Sequence, residues 1–236
     1  MEEQFQRIEV LLGKDNMKKI HSKKVAIFGI GGVGSYVAES LIRAGITKFV
    51  IIDKDKIDIT NINRQIHATH ETVGNYKVEE MKKRMNAINP EAQIEIIREY
   101  VDETNIEQIL LKDIDYIVDA IDTVKSKVAI IKLAKKLKIE IISSMGTGAK
   151  LDPTKLCVTD IYKTKNCPLA KVMRKELRKE NIENLVVVYS EEESIKTEEK
   201  LGAHVIGSTP FVPATAGLII GSQIVRHIVE GKWGNV

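Results

Sequence analysis

The sequence predicts an α/β fold: a mostly parallel sheet with helices on both faces and a C-terminal elaboration. Three observations predict it. Apolar runs without polar alternation recur at residues 24–29 (KVAIFG), 48–53 (KFVIID) and 115–121 (DYIVDAI), as in strands buried on both faces. Stretches of helical periodicity separate these runs, which is the alternation of βαβ units. The first run ends in a glycine and the second in an acid, and such residues at the carboxyl ends of parallel strands commonly serve a ligand.

Taken in order, Phe5, Ile8, Leu11 and Leu12 recur at helical spacing and predict a short amphipathic helix. The strand at 24–29 leads into a helix over 32–44, ended by Gly45. After the strand at 48–53, residues 77–88 read as a helix that stops before Asn89-Pro90. Residues 93–98 alternate as a strand, and 105–111 make a helical turn or two. The strand at 115–121 is followed by a helix at 125–137 and a strand at 140–144. Beyond Met145 the pattern changes. Residues 149–162 predict two strands around Asp152-Pro153, followed by a helix at 168–181, a strand at 185–189 and an apolar helix at 215–229. The polar stretch 190–200 (SEEESIKTEEK) reads as a mobile loop.

The chain has 236 residues, 43% of them hydrophobic, enough for a sizeable core. No repeat or low-complexity linker interrupts it. The expected organisation is one domain over 1–236, with a core at about 22–145 and an elaboration at about 146–236. With 36 basic and 33 acidic residues the net charge is +3, so only local clusters bear on partners. Two cysteines, Cys157 and Cys167, and a charged amphipathic start unlike a secretory signal fit a reducing, cytoplasmic setting. The apolar stretch 211–225 contains Pro213, Thr215, Ser222 and Gln223 and meets Arg226 at once. It is short for a span of ~20 residues, so it reads as a buried helix, and no membrane is expected.

Gly29-Ile30-Gly31-Gly32-Val33-Gly34 lies between strand and helix. Glycines there allow a tight turn and let phosphate approach backbone N–H groups at the helix start. Asp53, ending the next strand, is placed for a ribose hydroxyl. Alone this Rossmann-like pattern reads first as nicotinamide or flavin binding, or as a glycine turn for helix–strand packing. The following residues change the reading. Thr60-Asn61-Ile62-Asn63-Arg64-Gln65, then Lys77, then Asp122 after a strand suit a nucleoside triphosphate. Arg64 and Lys77 can neutralise phosphate, Asp122 can hold Mg2+, and Thr60 and Asn61 can bond phosphate or ribose. Asp55 and Gln65 belong to the same expected nucleotide set.

GIGGVGS, the Asp53 strand end, TNINRQ, VGxxK and AIDT resemble, in order and spacing, the ATP-dependent activating enzymes of ubiquitin-like proteins and bacterial sulfur carriers. That resemblance covers about residues 5 to 145. It implies that Gly29, Gly31, Gly32 and Gly34 form the nucleotide loop and that Asp53 takes the ribose. It implies further that Thr60, Asn61, Arg64 and Lys77 line the triphosphate and that Asp122 holds magnesium. Arg7 matches an arginine that reaches into the partner subunit's site, which implies a homodimer.

Within that superfamily the chain lacks any CxxC pair, so the structural zinc site usual in sulfur-carrier adenylyltransferases cannot be built. His67 and His70 read as incidental for want of a third ligand. Over nearly its full length the chain is similar to the tRNA threonylcarbamoyladenosine dehydratases. RIEVLLG at 7–13, NINRQIHA at 61–68, INPEA at 88–92, DPTKLCVTDIYKTKNCPLAKVMRKELRK and FVPATAGLIIGSQIV carry the likeness. It implies ATP and Mg2+ as cofactors, tRNA as substrate, adenylation of a threonine carboxylate and ring closure. A sulfur-transfer protein is a further candidate partner. The alternative is adenylation of a sulfur-carrier protein's C-terminus; a dehydrogenase is the rival from another class, against which Arg64, Lys77 and Asp122 argue.

Two features of the C-terminal part bear on function. Cys167 precedes Pro168 where some activating enzymes carry a thioester cysteine. A packing role is favoured, because an intramolecular cyclisation needs no covalent thiol. Lys171, Arg174, Lys175, Arg178 and Lys179 share one helix face. By itself such a face is solvated surface; with tRNA as substrate it is expected to bind phosphate. Lys135, Lys136 and Lys138 are a weaker candidate.

Overall fold

The computed structural model of the protein describes residues 3–110, 113–195 and 206–234. Its strands are β1 (Lys24–Phe28), β2 (Lys48–Ile52), β3 (Gln93–Ile97), β4 (Tyr116–Asp119), β5 (Glu140–Ser144), β6 (Leu156–Asp160) and β7 (Val186–Ser190). The helices are α1 (Gln6–Leu12), α2 (Lys14–Ser22), α3 (Gly34–Ala44), α4 (Lys77–Ile88), α5 (Ile106–Leu110), α6 (Val124–Leu137), α7 (Pro168–Lys179) and α8 (Phe211–Glu230). The sheet order is β3-β2-β1-β4-β5-β7-β6. All neighbours pair in parallel except β6, which runs antiparallel to β7. The chain moves from β1 outward to β2 and β3, then returns to place β4 on the other side of β1. That reversal opens a crevice at the carboxyl ends of β1 and β4, where open α/β sheets bind ligands.

The two-residue period of a strand divides each central strand between two cores. Val25 and Ile27 of β1 face one core, with Leu41 and Ile42 of α3, Met81 of α4 and Ile220 and Ile224 of α8. Ala26 and Phe28 face the other, with Ile106 of α5, Ile130 of α6 and Met173 and Leu177 of α7. Both faces are covered, so the strands carry uninterrupted Val and Ile. Helix α3 ends where Gly45 takes a left-handed conformation with φ of 100°, its N–H donating to Ile42 O and that of Ile46 to Leu41 O. Among the described residues α8 is the one helix long and apolar enough to cross a membrane, but Val212, Ala216, Ile220 and Ile224 are fully buried. Its apolar character serves the core, as expected for 211–225.

Several boundaries and two elements differ from expectation. The N-terminal helix is two helices, α1 and α2, with Gly13 between them at φ of 84°. Leu11 is 80% exposed rather than packed. The break lets Met17 and Ile20 of α2 share the core with Phe5, Ile8 and Leu12, which leaves Leu11 outside. Residues 149–162 hold one strand, not two. Asp152 accepts the Thr154 N–H and starts a short 3-10 turn at Pro153–Lys155, while the Leu151 and Asp152 N–H groups bond the Glu192 carboxylate instead of a neighbouring strand. Helix α3 starts at Gly34 rather than residue 32, and α8 starts at Phe211, with Pro213 in its first turn where no N–H is missed. Residue 111 and residues 196–200 of the expected loop lie outside the described residues.

Candidate active site

At the reversal point a cavity of about 460 Å³ opens over the carboxyl ends of β1, β2 and β4. The glycine loop forms one wall. Gly29 has φ of 88°, and a Cβ there would sit 2.7 Å from the Ala120 carbonyl oxygen; one on Gly34 would lie 1.8 Å from Gly29 O. These two glycines therefore serve close packing of loop, helix and β4 exit. Gly31 and Gly32 face the cavity, and Gly29 lines it too, so the loop combines both readings that its motif allowed. Helix α3 has no side-chain cap, and its uncapped amino end, beside Gly31 and Gly32, favours an anion.

Asp53 ties the exit of β2 to this loop. Its carboxylate accepts the Ile30 N–H at 2.7 Å and the Asp55 N–H at 2.9 Å. Burial raises its pKa above the usual carboxylate value, against the lowering effect of the Lys77 charge and the two backbone N–H groups. A carboxylate has about four lone-pair positions, so a ribose hydroxyl can still be accepted. Lys77, first residue of α4 and buried, places its ammonium 3.0 Å from the exposed Asp55. Arg64 bonds Thr60 O and Asn63 Oδ1, each at 2.8 Å. Asn63 Nδ2 in turn donates to Ser208 O, joining this turn to the chain that enters α8. Asn61 and Gln65 line the cavity, and the buried Gln65 Oε1 has no hydrogen-bond partner. Asp122 is exposed in the cavity, and its carboxylate takes one long bond, 3.4 Å, from the Thr123 hydroxyl.

Thr60 departs from expectation. Its hydroxyl donates to Asp58 Oδ1 at 2.6 Å and its N–H bonds the same oxygen. The residue lies outside the cavity lining and serves the 3-10 turn at Ile59–Asn61, which Asp58 caps. A short hydroxyl side chain bonds its local backbone more readily than it reaches a ligand. Arg7 also stands apart: it is exposed on α1 and does not line the cavity of its own chain. Phe5 packs on His21, whose Nδ1 meets Gly45 O at 2.7 Å. The N-terminal helices therefore flank the far end of α3, roughly 16 Å of helix away from the glycine loop.

Sequence reasoning missed several residues of the lining, Tyr100 and Ser126 among them. Tyr100 follows β3 at the cavity edge, with the Lys54 ammonium 5.1 Å from its ring centroid. Ser126 of α6 lines the cavity with a buried hydroxyl that has no partner. A signal for Ser126 was its place one turn after Asp122; for Tyr100 the sequence held none.

Helix α7 begins beside the same rim, because Cys167 Sγ lies 3.5 Å from the position a Gly146 Cβ would take and Thr147 lines the cavity. Cys167 is buried, and its sulfur accepts the Ala170 N–H at 3.5 Å, capping the helix. That is the packing role favoured from sequence. Cys157 is half-buried on β6, and burial pushes its thiol pKa up. Along α7, Ala170, Met173 and Leu177 are buried, whereas Val172 is exposed. Lys171, Lys175, Arg178 and Lys179 are exposed. Arg174 is half-buried and held by the Thr164 carbonyl and hydroxyl. Lys179 pairs with Glu176, and Arg178 lies over the Tyr162 ring. Lys135 and Lys136 of the weaker cluster bond Asn184 and Glu107.

A glycine loop at a helix start, an acid after β2, and cations plus an unencumbered carboxylate facing one cavity define a nucleotide-phosphate-binding α/β protein. The chain belongs to the ThiF family, whose model matches residues 3–231, and within it to the tRNA threonylcarbamoyladenosine dehydratases. It is 40% identical over 241 residues to the Bacillus subtilis protein of that name, across 96% of this chain and 95% of that one. The Haemophilus influenzae counterpart is 34% identical over 248 residues, across 98% and 95%. Crystal structures of the Escherichia coli tRNA threonylcarbamoyladenosine dehydratase in complex with AMP and with ATP superpose with a TM-score of 0.90. They are 32% identical to this chain, across 97% of it and 94% of those chains.

Proposed function

We propose that the protein is an ATP-dependent dehydratase that adenylates the threonine carboxylate of threonylcarbamoyladenosine in tRNA and then cyclises it. The observation that carries this reading is the 40% identity, over 96% of the chain, to a protein named for that dehydration. The site supplies what the adenylating half needs. The substrate carboxylate attacks the α-phosphorus of ATP and pyrophosphate leaves, its charge met by Arg64 and Lys77. Asp122 is the residue that would hold magnesium: its carboxylate is a hard oxygen donor with lone pairs to spare. No group of three metal-binding side chains stands among the described residues, so phosphate oxygens would share the ion. When bound, the ion neutralises phosphate charge. The carbamoyl group then closes onto the activated carbonyl and AMP leaves, for a net loss of one water. Ring closure is intramolecular, so orientation rather than a protein nucleophile is required.

In this reading residues 1–236 act as one adenylation domain in the cytoplasm, with the core at about 22–145 and a substrate-binding elaboration at about 146–236. The test is direct. Incubation with tRNA bearing the nucleoside, ATP and magnesium, followed by digestion and mass spectrometry, should yield a nucleoside lighter by one water, with AMP and pyrophosphate. AMP formation that depends on a sulfur-carrier protein instead of tRNA would sink it.

A homodimer with Arg7 acting in the partner's site is part of the proposal, since Arg7 does not line its own chain's cavity. Equal mixtures of Arg7→Ala and Asp122→Ala subunits should recover about a quarter of parent activity, because half of the random dimers carry one intact composite site. Inactive mixtures with proven subunit exchange would count against sharing.

The basic face of α7 is proposed to bind tRNA, with Lys171, Lys175 and Arg178 leading because Arg174 is held by Thr164. Reversing those three to Glu should raise the half-saturating tRNA concentration at least about tenfold and lower the salt slope by about two to three. ATP affinity should not change. An unaltered salt series would leave α7 as solvated surface.

A further inference from the structure

Beneath the cavity lies an ion pair that the adenylation chemistry leaves unused. Lys127, fourth residue of α6, and Asp119, last of β4, are both 0% exposed, with Nζ 2.9 Å from Asp119 Oδ2. The same ammonium donates to Ile121 O at 3.1 Å and to Ser144 O at 2.8 Å. An ammonium has three N–H donors, and here each has an acceptor on a different segment: the end of β4, the loop after it, and the end of β5. Asp119 Oδ2 also accepts the Ser143 hydroxyl at 2.5 Å.

Asp122 follows Ile121 directly. The glycine loop rests on the same spot, since a Cβ on Gly29 would lie 2.9 Å from Ile121 Cγ2. One buried cation thus fixes the short loop that presents the carboxylate of Asp122 and supports Gly29. Desolvating such a pair is expensive, and well-packed apolar residues often replace it without loss of stability. Packing alone therefore does not call for Lys127. An apolar side chain there would leave Ile121 O and Ser144 O without this donor, and the loop free to move.

We propose that Lys127 is a positioning residue that holds the Asp122 loop in the geometry used for metal-bound ATP. The proposal rests on the reading of Asp122 as the magnesium carboxylate. Its test compares the parent with Lys127→Arg, Lys127→Met and the double variant Asp119→Leu/Lys127→Met. The double variant removes both charges, so it avoids the unpaired buried Asp119 that can unfold Lys127→Met. Melting temperature, ATP affinity with and without magnesium, and the magnesium dependence of turnover are measured for each.

The double variant should melt near the parent and bind metal-free ATP like the parent. The magnesium concentration for half-maximal ATP binding should rise about tenfold or more, the usual range for losing a residue that orients a metal ligand. Turnover should fall more in kcat than in KM. Lys127→Arg, which keeps charge and donors, should recover part of both. A folded double variant with the parent's magnesium dependence would overturn the positioning role. A parent whose ATP affinity ignores magnesium would instead overturn the metal role of Asp122, and this proposal with it.

Discussion

Replacing Asp122 by alanine is expected to lower turnover roughly a hundredfold or more, the scale of losing one charge-stabilising group at a reacting centre. The fold should not change with it. Asp122 is exposed and takes one hydrogen bond, at 3.4 Å, and surface substitutions of that kind alter stability by about 0.5 kcal/mol or less. The loss should reside in kcat, because the carboxylate acts through phosphate charge that builds as pyrophosphate departs. Asp122→Asn keeps the shape and removes the charge, so it should resemble alanine rather than the parent. Nucleoside mass spectrometry and AMP release read turnover; a melting curve reads the fold. Parent-like turnover in Asp122→Ala would remove this residue from the metal role and leave Asp53 or Asp55 as the carboxylate near the phosphates.

The parts of the site legible in the sequence share one property. Gly31, Gly32, Asp53 and Asp122 follow the ends of apolar strands, and Lys77 opens a helix, so local pattern places each at the carboxyl edge of a parallel sheet. Residues whose role depends on tertiary contact were not legible. Lys127 reads as one more lysine of a lysine-rich helix until β4 and β5 close over it. Ser126 and Tyr100 become cavity residues only when α6 and the exit of β3 meet at the reversal point. Thr60 erred in the opposite direction: the motif placed it by a ligand, but Asp58 two residues away captured its hydroxyl. Two strands at 149–162 failed similarly, because the Glu192 carboxylate takes the backbone N–H groups that a second strand would have paired. In each case short-range hydrogen bonding or long-range burial decided what periodicity alone left open.

The motif NINRQIHA carries a second consequence, in stability rather than turnover. His67 is buried, and neither ring nitrogen has a hydrogen-bond partner. Burial, followed by the positive charges of Lys77 and Arg84, lowers its pKa from the ordinary 6.5 to about 4. Between those two values the unfolded chain binds a proton that the folded protein refuses. The unfolded state therefore holds more protons in this window, and stability falls as pH falls from about 6.5 to about 4, levelling off below. Each pH unit across that window costs roughly 1.4 kcal/mol, so the loss attributable to this one ring is about 3 kcal/mol. Carboxylates titrate in part of the same range, so the measurement is a difference. Denaturant unfolding of the parent and of His67→Leu is followed from pH 7.5 to pH 4, with His67→Gln as a polar control. Above pH 7 the leucine variant should be close to the parent, since the neutral ring makes no hydrogen bond there to lose. Toward pH 4 both variants should retain up to about 3 kcal/mol more of their neutral-pH stability than the parent does. Parallel curves for all three proteins would mean that His67 titrates alike in the folded and unfolded chains. A parent that gained on its variants as pH fell would mean that the folded protein welcomes the proton, and that the Lys77 and Arg84 charges do not govern this pocket.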